Sequence, residues 1–468
     1  MDAEKRELIA ENRRLRARVK ELEAMVRALQ EQVQVLTAAL EEARRAGKRQ
    51  AAPFRKPRRV EKPKKPGRKP GERYGQHARR TVSENASIDE EYDATLPPEC
   101  PKCGSRRLEE DEPVTEQFQT EIVCHTARRR FAIHRGHCRD CGTAVQGRHP
   151  LQTSTATGAA GEQLGPKAHA LMGVLNKRLG LSHGKVSWMF GKVFGLTINR
   201  STSARSGVRT ARRCAAAYEQ IRSDVRAAEE VTPDETGWRV GGGKAWLHAF
   251  ATDDTTCYVI DPTRSGDVAE RLLGLDWSGR LVHDGWSVYD RFLQAIHQQC
   301  NAHLLNRCKE LLEVARRGAA RFPLAVKGLL QQGLAVRDRF AEGEMSPHGL
   351  RVSAGRLTVR LERVVAGRFT HDGNRRLANF LNDHLCEVFA YLHYPGMAAT
   401  NYRGEQSIRP AVVNRKVWGG NRTWPGAWTQ SVLMSVIGTC LLRRIDPLHF
   451  FIEALTSPTP VLLAQPPP

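Results

Sequence analysis

From residue 231 the hydrophobic period becomes two, and this change constrains the fold more than any other feature of the 468-residue chain. VTPDETGWRV (231–240) leads through Gly241, Gly242, Gly243 and Lys244 into AWLHAFATDD (245–254), and a two-residue step leads on to CYVIDP (257–262). Glycines between alternating runs make a hairpin, so the spacing predicts a three-strand meander. SGDVAERLLGL (265–275) reads as a helix and GRLVHDGWSVYD (279–290) as a fourth strand. A right-handed crossover lays the fourth strand beside the first. Asp234, at the start of the first strand, and Asp284, at the tip of the fourth, would then be neighbours. Two carboxylates so placed are tolerable only where a cation neutralises them.

The N-terminal third is built differently. Leu8, Leu15, Leu22, Leu29 and Leu36 recur every seven residues, with Asn12, Val19, Val26, Val33 and Leu40 in the alternate seam positions. That pattern predicts a two-stranded parallel coiled coil over residues 1–45, hence a homodimer or a higher oligomer. Residues 44–80 then carry sixteen Lys and Arg against Glu61 and Glu72, or +14 of the formal net charge of +22. Five prolines forbid a regular helix there, and the composition predicts a disordered basic arm within a 46–95 linker. Its PGRKPG (66–71), with Arg68 and Lys69, resembles arms that lie in A·T-rich minor grooves; a solvated linker is the plain alternative. A charge of this sign selects a polyanionic partner, and double-stranded DNA is the first candidate. No apolar run approaches the roughly 18 residues that cross a bilayer, and the N-terminus lacks the apolar core of a secretory signal, so no membrane partner is expected.

Cys100-Pro-Lys-Cys103-Gly104 and Cys138-Arg-Asp-Cys141-Gly142 are paired knuckles, each offering two thiolates from one turn. With the strand-like segment between them they predict a zinc ribbon over 96–150 holding a structural Zn2+; redox cysteines are the competing reading. Cys124, His125, His134 and His137 are alternative ligands in the same stretch. Residues 151–225 read as helices. Ser182 is placed to cap the second and Asn199 the third, and the third carries Arg200, Arg205, Arg209, Arg212 and Arg213. Helix, turn and arginine-rich helix resembles a helix-turn-helix reader of DNA, although a bundle with a solvated basic face has the same pattern.

DETGW (234–238), HDGW (283–286), CNAHLLN (300–306) and NYRGEQSIRPAVVNRKVWGGNRT (401–423) resemble transposases of the insertion-sequence-66 family, and the likeness extends over nearly the whole chain. The resemblance implies a multidomain α+β protein with a ribonuclease H-like α/β core over 226–430, split by a helical insertion near 310–398, and a C-terminal helical element over 431–468. It implies an acidic triad of Asp234, Asp284 and Glu405 holding two Mg2+ or Mn2+ for hydrolytic cleavage at the element's ends and strand transfer into target DNA. Arg403, Arg409, Arg415 and Lys416 would contact that DNA, beside Glu405 on a helical turn ending near Pro410. Accessory proteins encoded by the same element and a bacterial cytoplasmic, nucleoid-associated location follow from the likeness. Two other classes fit part of the pattern: a non-catalytic DNA-binding regulator, and a nuclease that cuts without joining. Rival acids exist in Glu235, Asp253, Asp254, Asp290, Asp383 and Glu387. His283, Cys300 and His303 admit a second metal site, against the commoner buried cysteine and hydrogen-bonded histidines. Trp418 and Trp424 read as core residues, or as platforms for an unpaired base. The segment from 431 reads as an amphipathic helix that packs.

Overall fold

A computed structural model describes residues 87–109, 117–120, 122–152 and 163–465, with isolated helical positions at Glu11, Arg18, Val19, Leu22, Met25 and Val26. Leu8, Leu15, Leu29 and Leu36 of the heptad, and Arg68 and Lys69 of the basic arm, lie outside the described residues. The seam residues Val19, Leu22 and Val26 are helical, and about half of each is exposed in the single chain.

The chain divides into two units, Met1–Ile122 and Val123–Pro468. In the first, the Cys100 knuckle is a closed turn: Cys100 N donates to Ser105 O (2.9 Å) and Gly104 N to Cys100 O (2.8 Å). In the second, the Cys138 knuckle repeats these bonds to Thr143 O and Cys138 O, both at 2.9 Å. It forms the tip of a hairpin between β1 (Arg135–His137) and β2 (Ala144–Gln146).

Four helices follow in the second unit: α1 (Pro166–Lys177), α2 (His183–Val193), α3 (Arg200–Arg213) and α4 (Ala215–Ala227). Ser182 caps α2 by accepting from Lys185 N, whereas Asn199 precedes α3 without a side-chain cap bond. Met172, Leu175, Val186 and Phe190 close a small core between α1 and α2. The small residues of α3, Ser203, Ser206, Gly207, Thr210 and Ala211, face inward. Arg205, Arg209 and Arg212 recur at helical spacing on its exposed side.

The central sheet has the order β5-β4-β3-β6-β7, made of β3 (Glu230–Val240), β4 (Gly243–Ala251), β5 (Thr256–Asp261), β6 (Arg280–His283) and β7 (Ile296–Gln299). The first three are antiparallel, and the β3–β4 turn has Gly241 and Gly242 at φ +59° and +82°, the two positive values a tight hairpin of this hand needs. The crossover helix α5 (Asp267–Leu273) returns the chain so that β6 lies parallel beside β3, as the strand order predicts, and β7 lies parallel beside β6.

Alternation assigns the two faces. Val231, Phe250 and Leu281 enter a core with Ile221, Val225, Val436 and Phe451. Trp238, Leu247 and Ala249 enter another with Ile408, Ala411 and Val412. Ile408, Ala411 and Val412 belong to α11 (Tyr402–Trp418), which runs through Pro410 rather than ending there. Between β7 and α11 come α6 (Asn301–Val314), α7 (Arg321–Ala341), α8 (Pro347–Val365), α9 (Asp372–Asp383) and the short α10 (Ala390–His393). These share a separate core that includes Leu304, Leu330, Leu361, Leu381 and Tyr391.

The segment from 431 is not amphipathic. It belongs to α12 (Trp424–Leu442), which is buried along most of its length, so a boundary at 430–431 falls inside a helix. The reason is a hydroxyl ladder. Ser431, Ser435 and Thr439, each one turn apart, accept from the backbone N–H of Ile260, Tyr258 and Thr256 on the edge strand β5 (3.1, 2.8 and 3.2 Å). Four helical residues rise about 6 Å and two strand residues about 6.7 Å, so the two periods run in step. Edge donors that would otherwise go unpaired are thereby satisfied. The last helix is α13 (Pro447–Thr456), and no described helix is long and apolar enough to cross a membrane.

Candidate active site

The register of the parallel pair decides where the aspartates fall. Glu230 pairs with Arg280 and Val231 with Leu281, a step of 50 residues, the same step that separates Asp234 from Asp284. Asp234 therefore sits within β3 rather than at its start, level with Asp284, which follows the last residue of β6. Parity puts Asp234 on the face of Trp238 and Val240, the face against which α11 packs.

Glu405 reaches the same place from α11. Gly404 lies against β3 so closely that an added Cβ would stand 3.2 Å from the carbonyl oxygens of Thr232 and Pro233. A side chain here would push the helix or the strand back by a few tenths of an ångström, and the next residue is the glutamate. Gly285, at φ +86°, makes the turn after Asp284; a Cβ there would lie 2.7 Å from the Phe380 ring and 2.8 Å from Gln299 Oε1.

The charges of the three acids reach one another. Burial, then the charges of Glu235, Asp284 and, more weakly, Glu405 push the Asp234 carboxyl up to about 7. A buried acid with further carboxylates beside it lacks a counter-charge, and three oxygen donors of this sort suit a hard divalent cation. His303, one turn into α6, joins the group with Nδ1 3.8 Å from Glu405 Oε1. Hydrogen bonding to Cys300, then the charges of Cys300, Asp284 and Glu405, outweigh burial and raise it to about 9. The N-termini of α6 and α11 are stitched together, with Asn301 N on Ala399 O (3.0 Å) and Asn401 N on the Cys300 sulfur (3.3 Å). Cys300 is thus a buried hinge-pin between two helices. His303 is the member that sequence reasoning left without a role; its position three residues after that cysteine, at the opening of a helix, was the available signal.

His283 belongs to a different cluster. Among the described residues, His283, His297 and Glu387 are the group whose ligand atoms all lie within 4.8 Å of one another. Its hydrogen bonds close without a metal. Burial, then His297 and His384, push His283 down to about 3, so it is neutral. Its Nδ1 accepts from Gly285 N (3.3 Å), which leaves the proton on Nε2, 3.1 Å from His297 Nδ1. His297 in turn donates from Nε2 to Phe292 O (2.9 Å). Glu387 accepts from Gln299 Nε2 (2.6 Å) and pairs with His384 Nδ1 (3.0 Å). Every proton in the chain has one place to go.

The basic residues sort by what they touch. Arg403 is paired with Glu230 (3.2 Å) and Asp253, and Arg415 donates to Thr236 Oγ1 (3.0 Å) and Gly237 O. Both hold α11 to the sheet and its loops. Arg213 is likewise spent on the carbonyls of Ala454 (2.8 Å) and Ser457. Arg200, Arg205, Arg209, Arg409 and Lys416 are exposed. Of the rival acids, Asp254 pairs with Arg443 and Glu235 with Arg264. Trp418 packs edge-on against Trp238 (6.0 Å), while Trp424 is 47% exposed. In the knuckles, amide N–H groups of Lys102 and Cys103 lower the Cys100 pKa, and the Thr143 hydroxyl and amide lower that of Cys141.

Fold and site together define a class: an α/β protein that gathers carboxylates from two adjacent parallel strands and a facing helix at one end of a mixed sheet. Residues 163–429 match the profile of the family described as Transposase IS66 family, and the chain belongs to that family. It is also similar to two proteins of Sinorhizobium fredii. Uncharacterized protein y4qI is 25% identical over 278 residues, covering 50% of this chain and 48% of that protein. Uncharacterized protein y4hP is 25% identical over 411 residues, covering 77% of this chain and 70% of that protein. The chain thus spans about half the length of the first.

Proposed function

We propose that the protein is a DNA transposase that cuts at the ends of its element and joins them to target DNA, using Asp234, Asp284 and Glu405 on a ribonuclease H-like core. The observation that carries this reading is the shared 50-residue step of strand register and aspartate spacing, with Gly404 admitting Glu405 to the same end of the sheet. The strand order, with three antiparallel strands followed by two parallel ones, supports it.

The three carboxylates would hold two Mg2+ or Mn2+, which when bound supply a Lewis acid and lower the pKa of an attacking water or 3′-hydroxyl. The chain's own groups do the rest. Asp234 and Asp284 fix the site between two adjacent strands of one sheet. Glu405 closes it from the helix. His303 lays a cationic imidazole beside Glu405 and Asp284, where it can balance negative charge as phosphate enters. DNA would lie along the exposed arginines Arg200, Arg205 and Arg209 and reach Arg409 and Lys416, with Arg68 and Lys69 adding phosphate contacts from the arm. The cysteine knuckles would bind structural Zn2+, and the heptads would pair two copies. Proteins encoded by the same element are candidate partners.

The test uses full-length protein and a labelled duplex ending in the sequences that flank its coding region. Asp234→Asn should abolish Mg2+-dependent cleavage and leave duplex binding intact; retained cleavage removes Asp234 from this role. A pre-cleaved end supplied with target duplex should be joined, whereas a plain nuclease would only nick the target.

A further inference from the structure

We propose that Arg264, held by Glu235 and pressed against Trp246 and Trp286, is a positioning residue that sets the separation of Asp234 and Asp284; this rests on the triad reading above. Each aspartate is gripped through the backbone of a neighbour. Glu235 N donates to Asp234 Oδ1 (2.9 Å), and Trp286 N donates to Asp284 Oδ1 (3.1 Å). The side chains of those two neighbours meet on one guanidinium. Arg264 donates to Glu235 Oε1 from Nε (3.1 Å) and Nη2 (2.5 Å). Its Cζ lies 4.3 Å from the Trp286 ring centre and 4.9 Å from that of Trp246. Glu235 is 4% exposed, so an ionised carboxylate there requires a fixed partner.

The clamp works from behind. Successive residues of β3 point to opposite faces, so Glu235 points away from the face that Asp234 and α11 share. Trp246 pairs with Gly237, whose missing side chain leaves that face clear. The loop carrying Arg264 is fixed as well: Thr263 donates to Asp261 Oδ1 from N and Oγ1 (2.9 and 2.8 Å), and its carbonyl oxygen meets His248 Nε2 (3.2 Å). By charge alone Arg264 would be counted among the DNA contacts. Its geometry commits two donors to Glu235 and sets the guanidinium beside two indole rings, although the side chain is 44% exposed. It also gives Glu235 and Trp286, which catalysis itself does not use, a purpose in the two aspartate motifs.

Arg264→Lys keeps the charge and loses the fork and the stacking plane. In the duplex-cleavage assay it should raise the half-saturating Mg2+ concentration by about tenfold or more and lower the rate at saturating Mg2+ by about 10²-fold, the scale of an ångström-sized misplacement. Duplex affinity and its salt dependence should match wild type. Trp286→Ala should behave likewise, and Trp286→Phe, which restores an aromatic face, should recover most of the loss; this second pair decides the matter should Arg264→Lys fail to fold. The proposal is overturned if both Arg264→Lys and Trp286→Ala cleave at the wild-type rate and Mg2+ requirement, or if the whole loss is in affinity with a shallower salt slope. Asp234→Asn run alongside separates the two readings: if it still cleaves, the triad reading fails; if it is inactive while Arg264→Lys cleaves as wild type, only the clamp fails.

Discussion

Two groups of metal-ligating side chains flank the HDG turn, and they differ in whether their hydrogen bonds close. His283, His297 and Glu387 crowd within 4.8 Å and look the more like a metal site by proximity. Yet each donor there faces an acceptor, from Gly285 N through the His283 and His297 rings to Phe292 O. Asp234, Asp284 and Glu405 are less crowded and cannot satisfy one another, since all three are acceptors when ionised. Proximity therefore misleads, and accounting for protons and charge does not. The closed network holds the turn; the open one is the group proposed to hold a cation.

The largest expected effect breaks the open group. Asp234→Asn should lower cleavage by about 10³-fold or more, since it removes an anionic oxygen from the proposed ion-holding set. The same variant sharpens the comparison in the opposite direction for stability. The Asp234 carboxyl is raised from 3.8 to about 7, so the folded protein binds that proton more tightly than the unfolded chain. Its contribution is then fully present below about pH 4 and is lost as pH rises through 7, by up to about 4 kcal/mol. With a chelator present, wild type should lose more stability than Asp234→Asn between pH 5 and pH 8, as measured by chemical denaturation. Equal pH slopes for the two proteins would show that Asp234 is not frustrated.

An intermediate effect breaks the closed group. His297→Ala leaves the His283 Nε2–H without its acceptor inside the protein, where His283 is fully buried. A stranded buried donor costs about 1–3 kcal/mol. Chelator should neither mimic nor deepen that loss. If chelator alone destabilised wild type as much as the substitution does, an ion rather than a proton would be holding the cluster.

Much of this was legible in the sequence, for identifiable reasons. The period-two runs and the glycine turns specify local geometry, and a right-handed crossover leaves one place for β6, so the order β3–β6 followed from pattern alone. The 50-residue interval between aspartates is a number in the sequence, but its agreement with strand register needs the ladder itself. Other features were not legible, because they depend on contacts between distant segments. Pro410 reads as a helix end, yet α11 continues to Trp418, and the Tyr258 hydroxyl donates to Ser407 O (2.5 Å) beside the disturbed turn. The segment from 431 reads as an amphipathic helix, and its Ser431, Ser435 and Thr439 serve a strand some 170 to 180 residues earlier. Arg403 and Arg415 read as DNA contacts because charge is visible in a sequence and the partner that consumes it is not.

The smallest effect is the most discriminating about Glu387. Its Oε2 accepts from Gln299 and pairs with His384, and both contacts ask for an oxygen rather than for a charge. Glu387→Gln keeps an oxygen in that position and removes the anion. In a hydrogen-bonded network the substitution should cost about 1 kcal/mol or less, because the acceptor survives. In a zinc site it would remove a ligand's charge, so Zn2+ titrated into the chelator-stripped variant would bind with one equivalent fewer than into wild type. Equal stoichiometry, with an almost unchanged melting temperature, is the expected outcome. It would assign the crowded cluster to holding the HDG turn and leave the open carboxylates as the place where a cation acts.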